Sequence, residues 1–260
     1  MMRFGPFNHI DSLVWTTARR LLKGTRVAER WSGDKSKVVS YSQFGEDANL
    51  LAFYRRLEHE RQLIVDRGWV VDIGAFRPIT QSNSFVFYQR GWHGINIDPT
   101  PGFKRTFDRV RPRDLNFEVG VASREGTAIF YLFDRPSVWN TFDLKAATYA
   151  TKVTGIRPQE ISVQVSRLDT ILDEHLMGGT LELLLIDAEG YDLEILQSNN
   201  FSKYRPRAIL IEVMRASADG LISDPVVRYL KDFGYVLFSW VNPNLMFVRN
   251  DSLPATGELN

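Results

Sequence analysis

The chain of 260 residues carries 32 basic and 31 acidic side chains, a formal charge of +1, so it has no overall field of the kind that draws a protein onto nucleic acid. It contains no cysteine, which excludes disulfides, thiolate zinc sites and thiol nucleophiles and fits a reducing, cytoplasmic setting. No apolar run approaches the ~20 residues of a membrane-crossing helix, and a soluble protein with one principal domain is expected.

Residues 1–40 hold eight Lys/Arg against three Asp/Glu, with Ile10, Leu13, Val14, Leu21 and Leu22 near helical spacing beside Trp15. This reads as a basic amphipathic arm. Three uses are open to it: packing on the domain, homodimerisation, or peripheral contact with an anionic membrane surface. Ser42–Leu57 then predicts a helix, with apolar positions at Phe44, Ala48, Leu51, Ala52 and Leu57. Strand-like runs succeed it at Trp69–Ile73, Gly94–Ile97, Asn116–Val121, Thr127–Phe133, Ser162–Val165, Leu181–Ile186, Ala208–Val213, Tyr235–Ser239 and Leu245–Val248. Helical patterns stand between several of them, at Ser82–Arg90, Phe103–Arg109, Ser166–His175, Tyr191–Gln197 and Pro225–Phe233.

Strands alternating with helices require right-handed crossovers and a largely parallel sheet covered on both faces. The expected fold is a doubly wound, Rossmann-like α/β sheet over residues 41–250, followed by a short tail, 251–260. The last two strands flank Asn242-Pro243-Asn244, a turn too short for a parallel crossover, so they should form an antiparallel hairpin at one edge. That ending suits a methyltransferase sheet better than a dehydrogenase one.

Ligands of an open parallel sheet bind beyond the carboxyl ends of its strands. Four acids fall at such ends: Asp72, Asp98, Asp187 and Glu212. Asp98 stands 24 positions after Gly74, near the spacing at which an acid meets ribose hydroxyls. After Gly74 come Ala75, Phe76, Arg77 and Pro78, where a pyrophosphate-binding turn would have glycines. Proline has no N–H to give a phosphate. The turn therefore suits a cofactor with a ribose and no pyrophosphate, and S-adenosylmethionine has that composition.

The segments YSQFGEDANL (Tyr41–Leu50), VVDIGA with QSNSF (Val70–Phe85), RGWHGINIDPTPGF (Arg90–Phe103), SRLDTIL (Ser166–Leu172) and LLLIDAEGYDLEIL (Leu183–Leu196) occur in order. Together they resemble the FkbM-type S-adenosylmethionine-dependent methyltransferases. The resemblance implies methyl transfer, most often to a hydroxyl of a sugar, glycolipid, polysaccharide or polyketide. It implies that Asp72 and Gly74 form the cofactor turn, that Asp98 holds ribose, and that Asp187 faces the methionine end. Gln43, Glu46 and Asp47 would close the pocket from the N-terminal side. The chain departs from the family pattern at Arg77-Pro78-Ile79, where relatives show a small polar residue and a glycine. It departs again at Asp98, where glutamate is commoner.

An acceptor hydroxyl loses its proton during transfer, so a base in reach is useful. Asp187, Glu189 and Glu212 are the candidates, and grouped carboxylates repel, raising a pKa or inviting a cation such as magnesium. The plainer alternative has Asp187 on the cofactor ammonium, Glu189 capping the helix near Tyr191, and Glu212 satisfying backbone or an arginine. His9, His59, His93 and His175 fall away from strand ends, and His93 is expected to be structural or at the surface. Asp134–Gly155, rich in Trp, Phe, Tyr, Asn and Thr, reads as a long loop suited to cover a carbohydrate acceptor, with a plain connection and a dimer contact as the alternatives. Two other functional readings stand beside O-methylation: an N- or carboxyl-methyltransferase of the same fold, and a non-catalytic binding module.

Overall fold

The computed structural model describes residues 39–59, 68–134, 136–176, 178–213 and 218–253. The arm expected over residues 1–40 and the end of the tail therefore lie almost wholly outside the described residues. The architecture is that of the unit beginning at Ser40.

A seven-stranded sheet organises this unit, in the order β3-β2-β1-β7-β8-β10-β9. Its strands are β1 (Trp69–Ile73), β2 (His93–Ile97), β3 (Leu115–Phe117), β7 (Leu181–Ile186), β8 (Ala208–Glu212), β9 (Tyr235–Val241) and β10 (Asn244–Arg249). Strands β3, β2, β1, β7 and β8 run parallel, whereas β10 is antiparallel to both β8 and β9. The expected hairpin is present, with its second strand inside the sheet and β9 forming the edge.

The central strands are mostly apolar because helices cover both faces. All six residues of β7, LELLLI, are buried. On one face Val71, Leu184, Ile186 and Ile209 share a core with α5 (Leu168–His175), α6 (Asp192–Gln197) and α8 (Pro225–Asp232). On the other, Val70, Leu183, Leu185 and Leu210 meet Leu50, Phe53, Tyr54 and Leu57 of α1 (Glu46–His59). Alternate residues of one strand thus serve opposite cores, as the period-two pleat requires. The shorter helices α2 (Phe85–Gln89), α3 (Phe103–Val110) and α7 (Ala218–Ile222) complete the connections.

Two features differ from the sequence expectation. The run Asn116–Val121 is two strands, and only β3 joins the main sheet; β4 (Gly120–Val121) belongs to a separate sheet ordered β4-β6-β5, with β5 (Gly126–Leu132) and β6 (Gln159–Ser166). Within the supposed long loop lies α4 (Leu144–Thr154). Asp143 caps its start, accepting from the Lys145 amide at 2.6 Å, and Gly155 ends it in the left-handed region at φ +72°.

Candidate active site

Strand order reverses between β1 and β7, because the chain builds outward from β1 through β2 and β3 and then crosses back. A cavity of about 420 Å³ opens at the carboxyl ends of the strands there, within the range of roughly 300–1,000 Å³ typical of small-molecule sites. β1 contributes Asp72 and Ile73, β7 leads into Asp187, and β8 ends on Glu212. Gly74 follows β1 at φ +77°, and a Cβ there would sit 1.8 Å from the Asp187 carbonyl oxygen. The Asp187 amide in turn donates to the Ile73 carbonyl at 3.0 Å. Glycine is required because the two strand ends touch through their backbones.

Asp98 accepts from the Thr100 amide at 2.8 Å and from the Phe76 amide at 3.1 Å. Phe76 adopts a left-handed φ of +50°, which aims its N–H at the carboxylate. The residue standing where a glycine was expected therefore supports the acid instead of approaching a phosphate. Burial raises the Asp98 pKa, opposed by its hydrogen bonds from Thr100 and Phe76.

Asp72 takes the Ser84 hydroxyl on Oδ2. Burial pushes its carboxyl up to about 6, against the lowering effects of Ser84 and Arg111. Oδ1 has no hydrogen-bond partner among the described residues. Asn83, also in the lining, has an amide oxygen without a partner. Sequence reasoning passed over Asn83, although it lies inside the QSNSF segment.

Asp187, Glu189 and Glu212 each place a carboxylate oxygen within 4.8 Å of the others. Among the described residues no hydrogen bond or ion pair engages these three carboxylates. Asp187 is open to the cavity yet ringed by protein and by acids; burial, then Glu212, Asp192 and Asp72, drive its pKa well above the ordinary carboxylate range. Burial and the neighbouring Asp187 carry Glu189 to about 8, and burial and Glu189 carry Glu212 to about 8. Glu189 also holds a left-handed φ of +50°. No side chain caps α6; its first residue, Asp192, turns back on the preceding loop, its two oxygens accepting from the Ala188 and Gly190 amides at 3.0 and 3.1 Å. Glu189 faces the cavity instead of capping the helix.

Of the N-terminal trio, Gln43 lines the cavity and Glu46 and Asp47 do not. Glu46 accepts from Asn244 Nδ2 at 2.8 Å and from the Phe44 amide, so it braces two residues that do line it. Asp47 is fully buried and accepts from the Tyr41 amide and from the hydroxyls of Ser40 and Ser42. His59, His93 and His175 are absent from the lining; His93 stacks on Trp69 and His175 on Phe117.

The remaining wall comes from the smaller sheet and the segment before α4. Val121, Phe130 and Ser137–Phe142 face the cavity, joined by Phe44 at its rim. Thr141 pins this wall to the acids, its hydroxyl donating to the Glu189 carbonyl at 3.0 Å. Asn140 pins it to the Asp98 turn, donating to the Thr100 hydroxyl at 3.3 Å.

A mostly parallel sheet with an antiparallel hairpin at one side, and an acid-lined cavity at its switch point, define a Rossmann-like methyltransferase fold. The sequence profile of the methyltransferase FkbM domain matches residues 72–237, well over half of the chain, and the protein belongs to that family. Membership implies S-adenosylmethionine as the methyl donor. No curated protein matches the chain.

Proposed function

We propose that the protein is an S-adenosylmethionine-dependent O-methyltransferase acting on a hydroxyl of a carbohydrate-containing acceptor. One observation carries the donor: the described residues lining the cavity include five acids, Asp72, Asp98, Asp187, Glu189 and Glu212, and no Lys, Arg or His. Such a lining offers a pyrophosphate no counter-charge and favours a ligand bearing a sulfonium and an ammonium. Bound there, S-adenosylmethionine supplies an electrophilic methyl group.

The chain's own groups divide the remaining work. Asp98, its orientation fixed by two amides, holds the ribose diol. Asp72 Oδ1 and the unpaired Asn83 oxygen meet the ammonium, and the Gln43 amide is one of the lining donors open to the carboxylate. Asp187, Glu189 and Glu212 form the base. Carboxylates with pKa values near 8 exist at neutral pH as a proton-sharing group that can accept the acceptor's hydroxyl proton. The acceptor itself meets Trp139, Phe142 and Phe44, whose faces suit the C–H side of a sugar, beside the hydroxyls and amides of Ser137, Asn140 and Thr141.

The unpartnered carboxylate cluster favours a second reading, in which magnesium sits among the three acids and lowers the hydroxyl's pKa. One experiment addresses both. Incubation with labelled S-adenosylmethionine and a panel of mono- and oligosaccharides, with and without EDTA, followed by mass spectrometry, should yield a methylated sugar. Activity that survives EDTA assigns the cluster to proton removal, and loss restored by magnesium assigns it to the ion. Absence of cofactor binding by titration calorimetry overturns the assignment.

A further inference from the structure

The stretch Phe76–Asn83 replaces a glycine-rich turn, and a single buried side chain holds it from beneath. Arg111, at the end of α3, is 0 % exposed. Its Nε donates to the Pro78 carbonyl at 2.7 Å, its Nη2 to Ser82 Oγ at 2.6 Å, and its Nη1 to Ser84 Oγ at 2.7 Å and to Asn96 Oδ1 at 3.2 Å. Asp114 stands 3.8 Å from Nη1, and the rings of Phe85, Tyr88 and Phe107 lie about the guanidinium. Three acceptors of one planar fork thus come from residues 78–84.

Ser84 is the N-cap of α2, yet its side chain makes no capping bond; Ser82 Oγ accepts from the Phe85 amide instead. The Ser84 hydroxyl is used elsewhere. It accepts from Arg111 and donates its one proton to Asp72 Oδ2 at 2.5 Å. The direction of donation is fixed from guanidinium to hydroxyl to carboxylate, and each bond polarises the next.

We infer that Arg111 is a positioning residue for the cofactor: through Ser84 it holds Asp72 in its anionic, cavity-facing form, and through Pro78 and Ser82 it sets the turn. This rests on the reading of the cavity as the S-adenosylmethionine site. Asp72 also feels Asp98 and Asp114, and both acids oppose its ionisation; Asp72 in turn raises Asp187. Burial leaves its midpoint at about 6, with Ser84 and Arg111 the opposing influences. Without the relay, a neutral Asp72 would offer the cofactor ammonium no counter-charge at neutral pH.

Carbon-13 NMR of aspartate-labelled protein without ligand, with the Asp72 signal assigned by Asp72→Asn, reads this directly. The wild-type midpoint is expected near 6. Ser84→Ala should raise it by about one unit and Arg111→Met by more, while Arg111→Lys, which keeps charge but not the fork, recovers part of the difference. Should Arg111→Met fail to fold, Ser84→Ala alone carries the test. Calorimetry with S-adenosylhomocysteine supplies a second readout: Ser84→Ala should bind several-fold more weakly at pH 6.5 and recover toward wild type by pH 9. An Asp72 midpoint unmoved in Ser84→Ala and Arg111→Lys overturns the inference. A wild-type protein that binds no S-adenosylhomocysteine, with the midpoint still shifting, instead overturns the cofactor reading and leaves the relay standing.

Discussion

Glu189 and Glu212 reach each other across the cavity floor, one from the turn after β7 and one from the end of β8, with carboxylate oxygens no more than 4.8 Å apart. Neither has a compensating cation among the described residues, and both titrate near 8. The folded protein therefore retains protons that the unfolded chain has already released. Between the ordinary glutamate pKa and 8, stability falls as pH rises, because the folded state binds more protons there. Glu212→Gln should stabilise the protein at pH 7.5 by roughly 1–3 kcal/mol, with the gain shrinking toward pH 4.5. Urea unfolding at the two pH values measures it; a glutamine variant less stable than wild type at pH 7.5 contradicts the expectation.

The same titration governs rate with the sign reversed in its use. A base works when deprotonated, so turnover should climb as pH rises through about 8 and then level. Asp187→Asn, Glu189→Gln or Glu212→Gln at the acting base should lower turnover by roughly two to four powers of ten with cofactor affinity nearly unchanged. If all three variants stay within a few-fold of wild type, proton removal does not depend on this cluster.

Asp98→Ala should weaken S-adenosylhomocysteine binding by about 2–4 kcal/mol, roughly thirty- to a thousandfold. Asp98→Asn should fall between, since an amide oxygen can still take the Phe76 or Thr100 amide but carries no charge. Calorimetry on folded variants reads the order, and equal affinity in all three proteins would place the ribose elsewhere.

Gly74→Ala combines a positive φ with a carbonyl 1.8 Å from the new methyl group. Strain and overpacking together should cost roughly 2–4 kcal/mol, and the β1 and β7 ends should separate enough to weaken cofactor binding as well. Chemical denaturation followed by calorimetry separates the two effects.

Much of this was legible in the sequence, and what was missed has a physical reason. LELLLI and WVVDI announced central strands because parallel strands covered on both faces need no polar side. The acids at strand ends followed from that, and all four line one cavity, with Glu189 beside them. α4 escaped because it turns only Ala147 and Ala150 inward while exposing Leu144, Tyr149 and Val153, so no apolar period pointed at a core. Its visible signals were the Asp143 cap and Gly155. The break inside Asn116–Val121 was hidden because Phe117, Val119 and Val121 alternate without interruption across it, and which sheet each half joins depends on the partner strand. Arg111 could not be singled out: Arg109, Arg111 and Arg113 alternate along RVRPR, and only the tertiary fold sends the middle one inward.

The strand order also dictates when the site can come into being. Asp72 lies in the first strand of the sheet and Gly74 just beyond it, while Asp187 and Glu212 arrive with β7, which pairs beside β1, and β8, which pairs beside β7, only after the smaller sheet and α5 have been traversed. A chain emerging from the ribosome thus displays one flank of β1 unpaired until β7 has been made. Long-range parallel pairing of this kind is slow, and an open strand edge is prone to association with other chains. Truncations ending before β7 should accordingly be insoluble rather than partly active, and assembly of the carboxylate cluster should coincide with the last cooperative step of folding.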